Sequence, residues 1–494
     1  MKPSSQRSPQ TFLAASATGC VQTALKQTLS PDVCTRLGPG EFQLRINPFV
    51  SLFAASLIVL LPTQALAQSQ PSQTMPAQSS PGAPGQPVEP TPSQQVDESV
   101  RRGPVGVRER ERPDFESDGR RLGSFVLNAS VEFAVTSTDN LFAAESFEEC
   151  DPPPPGESCP GEIDDIIYSV NPMAHLESDW SRHMLAFEAG AGLRTHDEVS
   201  NEDAETYYVR TNGRFDIGSS TAVRGSARAA HQVTPRTDPD VPTDGEPVEY
   251  DRVDTSVGVE HRFARLTVSA DATRSRYDYE GNQSDRDNEQ TGLRGRAAWE
   301  VSPRLGVVVT AAVDERDYDV LPDFSSESQT YLAGIALDGD LVRGEISVGQ
   351  FEREYNDPAI GTLDGLAVAA QVEWFVTQLT TLSFTARRDA DDQISANLRL
   401  PYVSEEYGAR IDHELLRNVI LTAAARVGER EYETGLPDPR RDEYVETEIG
   451  ADWLVNRRAA LSLRYERDET ESDGVPASRD YEVNAVTLGL TLRL

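Results

Sequence analysis

Beyond Leu122 the chain alternates apolar with small or polar residues, one for one, over most of its length. Tyr481–Leu494 shows the pattern most clearly: Val486, Leu488, Leu490, Leu492 and Leu494 fall on one face. Ala485, Thr487, Gly489, Thr491 and Arg493 fall on the other. Successive side chains of an extended strand point to opposite faces, so a period of two predicts strands. The first is expected over Phe125–Thr136, with Phe125, Leu127, Ala129, Val131, Phe133 and Val135 in one row. Similar rows follow at Leu185, Phe187, Ala189, Ala191 and Leu193, and at Leu305, Val307, Val309, Ala311 and Val313. Two more are Leu366, Val368, Ala370, Val372 and Trp374, and Val419, Leu421, Ala423, Ala425 and Val427.

The joints between strands are alternately short and long. Short ones are expected near Asp179–Ser181, Gly218–Ser220, Arg262–Ala264, Ser302–Pro303, Asp338–Asp340, Thr377–Gln378, Leu415–Asn418 and Asn456–Arg457. Longer connections lie between them, from Ser137–Glu162 to Glu469–Asp480. Together these segments predict an all-β fold over 122–494, an antiparallel up-and-down transmembrane β-barrel of about 18 strands. Side chains alone do not fill so wide a barrel, which predicts a watery or plugged lumen and apolar rows facing lipid. The polar rows then face inward, and Arg294, Arg296, Glu300, Glu373, Arg387, Arg426 and Arg464 are candidate lumen residues. On the lipid side a mid-strand arginine costs about 2–4 kcal/mol.

The aromatic residues are sorted along the strands. All four tryptophans, Trp180, Trp299, Trp374 and Trp453, stand at or near short joints. Tyr250, Tyr279, Tyr318, Tyr355, Tyr402, Tyr432, Tyr444 and Tyr481 stand near the long connections. Two aromatic levels a strand apart predict the interface girdles of a membrane barrel.

The region before Leu122 reads differently. Arg45 precedes the apolar stretch Phe49–Leu61, and Ala65-Leu66-Ala67 follows it, so 1–67 is expected to be a secretory signal peptide with a long basic-side extension. Residues 68–121 are expected to form a disordered periplasmic linker, first rich in Pro, Gln and Ser, then charged. Its Arg108-Glu109-Arg110-Glu111-Arg112 run is expected to be solvated. Of four cysteines, Cys150 and Cys159 remain after the leader, flanking one Pro-rich loop. In an oxidising compartment they are expected to form a disulfide rather than a metal site.

A formal charge of −35 argues against nucleic acid as a partner. The acids crowd the long connections, as a solvated rim or as groups bridged by divalent ions to lipopolysaccharide. No motif announces a metal or cofactor site, and none is expected. The six histidines include His196-Asp197 at a loop entrance and Asp412-His413 beside a short turn, but strand neighbours point to opposite faces, so His196-Asp197 is not a ready dyad. The chain is therefore not expected to be an enzyme.

Several segments resemble the second type of putative β-barrel porin from bacterial outer membranes. They are Thr138-Asp139-Asn140-Leu141-Phe142, Phe351-Glu352-Arg353-Glu354-Tyr355-Asn356-Asp357-Pro358, Val376-Thr377-Gln378-Leu379-Thr380, and Tyr481 to Leu494. The resemblance spans about Leu122 to Leu494. It implies an outer-membrane barrel, assembled by the barrel assembly machinery, for solute or exopolysaccharide transport. It supplies no catalytic residues. The competing readings are a non-conducting structural or surface-interaction barrel and, third, a hydrolase acting at the outer rim.

Overall fold

The computed structural model describes residues 105–145, 161–239, 241, 246–395, 398–433, 437–475 and 480–494. The signal peptide expected over 1–67, the linker as far as 104, and Cys150 and Cys159 lie outside the described residues. The alternating segments form one 19-stranded sheet. A short β1 (Arg120–Leu122) precedes β2 (Phe125–Thr138), β3 (Asp165–Ser178), β4 (Met184–His196), β5 (Ala204–Ile217) and β6 (Thr221–Val233). Next come β7 (Glu249–Phe263), β8 (Leu266–Tyr279), β9 (Asn288–Ser302), β10 (Leu305–Tyr318), β11 (Ser326–Asp338) and β12 (Val342–Tyr355). The last are β13 (Thr362–Thr377), β14 (Thr380–Ser395), β15 (Leu398–Leu416), β16 (Val419–Tyr432), β17 (Arg441–Asn456), β18 (Ala459–Asp473) and β19 (Tyr481–Arg493).

Each of β2 to β19 pairs antiparallel with its sequence neighbour, and β19 returns to β2, with Leu488 opposite Val135 and Leu490 opposite Phe133. This seam closes an 18-stranded barrel and leaves it no sheet edge. The pairing of β19 with β2 runs as far as Arg493 opposite Ser130, and β1 takes over the rest of β2 through a tight hairpin, Leu122 opposite Phe125. Gly123 turns that hairpin at φ 65°, a left-handed conformation that favours glycine.

The rows face as their chemistry requires. Val307, Val309 and Val313 on β10 are exposed on the outside, as are Leu366, Leu421, Val427, Leu488 and Leu492. The stretch Leu305–Val313 matches the nine to eleven residues, roughly, that a tilted strand needs to cross a bilayer. All four tryptophans are also exposed, beside the short turns.

Toward the long loops the chemistry of the two faces changes over. On β12, Gln350, Glu352 and Glu354 continue the outward row of Ile346 and Val348, while Phe351 and Tyr355 turn inward and are buried. The eight tyrosines expected to form a girdle at this level follow the inward parity of their strands. Tyr318, Tyr355, Tyr432 and Tyr444 are buried. The girdle reading is corrected for them: above the apolar band the outside is polar, and the apolar rings pack against loops inside the mouth. Tyr318, Phe324, Phe351, Tyr355, Leu363, Ala367 and Ala390 form one such cluster. The tyrosines exposed on the outside are Tyr168, Tyr207, Tyr331, Tyr407 and Tyr465.

Candidate solute pathway in the barrel lumen

The seven lumen candidates all lie on inward rows. Arg296 Nη2 donates to Glu345 at 2.5 Å, and Glu373 accepts from Arg343 Nε at 2.8 Å. Arg426 donates to Glu446 at 2.6 Å and stands 3.4 Å from Glu406. Arg464 lies 3.5 Å from both Glu448 and Asp452, and Arg387 pairs with Asp389. Arg294 stands opposite Asp271 in the β8–β9 register. Glu300 has no side-chain ion pair among the described residues.

Charge is unevenly spread around the wall. Arg210, Arg214, Arg224, Arg228 and Arg252 face inward from β5, β6 and β7. Glu406, Glu446, Glu448, Asp452, Glu466 and Asp468 face inward from β15, β17 and β18. Small residues leave room for large neighbours: a Cβ on Gly190 would sit 2.5 Å from the ring of Tyr208.

The charged run before β1 occupies the lumen at the short-turn end, against the acidic wall. Val107 is buried and its N–H donates to Thr381 Oγ1 at 3.0 Å. Arg108 reaches three strands: Nε donates to Asp412 at 2.7 Å, and Nη2 to Thr422 at 2.5 Å and Asp452 at 3.0 Å. Glu109 accepts from Arg343 at 2.9 Å. Arg110 and Arg112 converge on Glu414, at 3.2 and 3.1 Å. Ser117 donates to the carbonyl of Leu494 at 2.5 Å, and Arg493 to the carbonyl of Phe115 at 3.3 Å. The run Arg108–Arg112, expected from sequence to be solvated, thus packs against the inner wall of the barrel. Composition alone misleads here, because the compensating carboxylates lie hundreds of residues away. The three arginines are carried on or just after a turn and bend, 107–110, rather than on a strand, so their spacing alone does not mark the common carboxylates Asp412, Glu414 and Asp452.

Burial opposes the charge of Arg108, but the carboxylates of Asp412 and Asp452 outweigh it and hold its pKa above the ordinary arginine value. At Arg112 burial prevails over Glu414 and the pKa falls below that value. Arginine stays ionised either way.

At the long-loop end the β6–β7 loop folds across the mouth. Arg236 makes a buried bidentate pair with Glu202, Nη2 to Oε1 at 2.6 Å and Nε to Oε2 at 3.0 Å. The carbonyl of Thr237 accepts from Tyr481 on β19 at 2.9 Å, and that of Pro239 accepts from Gln393 on β14 at 2.9 Å. β6 and β14 lie eight strands apart in the ring, so the loop bridges opposite walls.

The histidines do not assemble a catalytic set. Asp412 faces inward to Arg108, whereas His413 faces outward and pairs with Thr380 at 2.9 Å. His196 is buried in the lumen with Nδ1 3.4 Å from Asp203. On the outer face His231, Asp251 and Glu280 stand close enough to share an ion. Sequence reading missed this group because Glu280 belongs to a different strand pair.

A closed barrel with this lining is the architecture of an outer-membrane porin. Residues 112–494 match the family described as Putative beta-barrel porin 2, and the chain belongs to that family. No curated protein matches it in sequence. Among solved structures it is similar to Pseudomonas aeruginosa OpdL at 12% identity, covering 76% of this chain and 100% of that one, with a TM-score of 0.39. P. aeruginosa OccK9 (OpdG) is similar at 14% identity, covering 75% and 98%, with a TM-score of 0.42. Acinetobacter baumannii OccAB3 is similar at 9% identity, covering 74% and 99%, with a TM-score of 0.41. The protein is a porin-like barrel of the outer membrane.

Proposed function

We propose that this barrel is a pore for small hydrophilic solutes, with its short turns in the periplasm and the 105–117 segment narrowing that end. The observation that carries the reading is the charged inward row running beneath an apolar outward row, as on β16, β17 and β18. A lumen lined by paired charges stays hydrated and passes polar solutes without any catalytic residue. The excess of acid on the inner wall and in the loops favours cations weakly.

Passage of an exopolysaccharide, which the family resemblance suggests, requires the β6–β7 loop to leave the mouth, so small solutes fit better. The same loop favours a second reading, a barrel that does not conduct. Outside, Arg274, Arg276, Arg441 and Arg467 stand exposed near the long loops among carboxylates. That belt supports contact with the phosphates of lipopolysaccharide, directly and through divalent ions.

The test is conductance of the refolded protein in planar bilayers. Stepwise currents with a small cation-selective reversal potential in a KCl gradient are expected. Silence from both the full chain and a variant lacking 105–117 would favour the non-conducting barrel. For polysaccharide, a deletion strain with unchanged surface and secreted polymer removes the case for export.

A further inference from the structure

On the outer face near the long loops, carboxylates stand beside arginines. Glu289, Asp278 and Glu429 pair with Arg274, Arg276 and Arg441. The ends of β6, β7 and β8 break this habit. Glu249 and Asp251 on β7, and Glu280 one residue past β8, have no arginine partner among the described residues. Arg276 on β8 points the other way, to Asp278 and Asp319. Glu280 continues the β7–β8 pairing, its N–H donating to the carbonyl of Glu249 at 2.9 Å, so these two acids stand opposite each other. Like charges in that position destabilise a sheet.

What faces these acids is an imidazole. His231 stands opposite Asp251 in the β6–β7 register, and its side chain is 11% exposed. Its ring is stacked on Tyr207, with centroids 5.2 Å apart and planes 17° apart. Nδ1 lies 3.0 Å from Asp251 and Nε2 3.7 Å from Glu249. A metal-bound imidazole uses one ring nitrogen and turns the other to a carboxylate, and His231 has a carboxylate at each. His231, Asp251 and Glu280 each offer one ligand atom, all within 4.8 Å of one another. Protonated, His231 offsets one of the three carboxylates; a divalent ion offsets two and takes the imidazole neutral.

We propose that His231, Asp251 and Glu280 form a site for a divalent transition-metal ion of the zinc class, with Glu249 holding the imidazole by its other nitrogen. Imidazole nitrogen among carboxylate oxygens suits zinc; calcium and magnesium take oxygen alone. Ligands about 2.0–2.2 Å from zinc stand roughly 3.4 Å apart. His231 and Asp251 are already that close, and the exposed Glu280 side chain is free to close the rest. Three protein ligands leave a fourth position to water. The ion ties the ends of three strands just above the apolar band, where Val253 is the next outward residue of β7. The site stands outside the lumen and does not rest on the pore reading.

The experiment titrates the refolded full-length barrel, purified without a polyhistidine tag, with Zn²⁺ in a calorimeter against a background of excess Mg²⁺. Saturable binding of one zinc per barrel is expected. His231→Asn, Asp251→Asn and Glu280→Gln should each weaken it at least about tenfold. His261→Asn, on the outward row of β7 at the opposite end from Asp251, should leave it unchanged. Heat-modifiability on gels shows that each variant is closed. Should one fail to close, the unaltered barrel still decides: zinc should slow hydrogen exchange at the Glu280 N–H and leave the short-turn end of β7 unchanged. Absence of saturable zinc binding overturns the site. So does zinc binding that ignores both His231→Asn and Asp251→Asn, or zinc that leaves exchange at Glu280 unaltered, since the ion then sits among other acids of the barrel.

Discussion

The two ends of the lumen are built from the same residue types and settle their charge differently. At the short-turn end the acids of β15 and β17 are met by Arg108, Arg110 and Arg112, carried in by a segment outside the barrel strands. At the long-loop end Arg236 of the β6–β7 loop meets Glu202 of the β4–β5 loop, while Arg194, Glu466 and Asp468 line the half-exposed lumen without a direct ion pair among the described residues. The first end is complete with the chain's own groups. The second leaves part of its charge to water. In a barrel with a watery interior an inward charge is met either by the chain's own groups or by the lumen's water, and the two ends use these in different proportion.

The largest effect is expected where a fully enclosed pair is broken. The side chains of Arg236 and Glu202 are 7% and 9% exposed. Arg236→Ala strands the Glu202 carboxylate, a loss of about 3–5 kcal/mol. Glu202→Gln combined with Arg236→Met should recover most of it, since removing both charges is often neutral. Limited proteolysis within the β6–β7 loop and hydrogen exchange of β6 and β7 report the outcome. If Arg236→Ala leaves loop protection unchanged, the long-loop end is not held by this pair.

The strand segment between the two ends gives the next largest effect and a reference for both. Val309 is 53% exposed on the outer face, and its neighbour Thr310 faces inward. Val309→Arg near mid-strand should cost about 2–4 kcal/mol in lipid. Thr310→Arg should cost much less, because the lumen solvates the charge. Equilibrium unfolding in bilayers measures both. Equal costs would mean that the two faces are not in different solvents, and the contrast between the ends would lose its basis.

The barrel itself was legible from period alone. Val486, Leu488, Leu490 and Leu492 face out and their neighbours face in, because a strand has only two sides and lipid tolerates one kind of residue. The inward assignment of Arg296, Glu373 and Arg426 follows from the same parity, although their partners Glu345, Arg343 and Glu446 sit on other strands and needed the register. Two things were not legible. Tyr355 and Tyr432 alternate correctly, but above the apolar band the inside becomes the less polar side, and sequence does not mark the height at which that happens. Arg108, Arg110 and Arg112 sit in a composition typical of disorder, and their contacts with Asp412 and Glu414 are tertiary.

The smallest effect is expected from undoing the completed end. Replacing Arg108, Arg110 and Arg112 together by alanine frees the 105–112 stretch without touching a strand. Arg112 and Glu414 are 3% and 5% exposed, so the pair is enclosed, but Glu414 then opens to the water of the lumen and the loss is partly recovered by solvation. The barrel should therefore remain closed and heat-modifiable on gels. Two functional consequences follow from the contacts. The lumen gains cross-section at its short-turn end, so unit conductance should rise by about twofold or less, an electrostatic and steric change at one constriction. Glu414 loses its counter-charges, and Asp412 and Asp452 keep only Arg410 and Arg464, so the reversal potential in a KCl gradient should move further toward cations. The sign is the decisive part. A shift toward anions, or no shift with unchanged conductance, would mean that the arginine segment does not neutralise the acidic wall of the working pore.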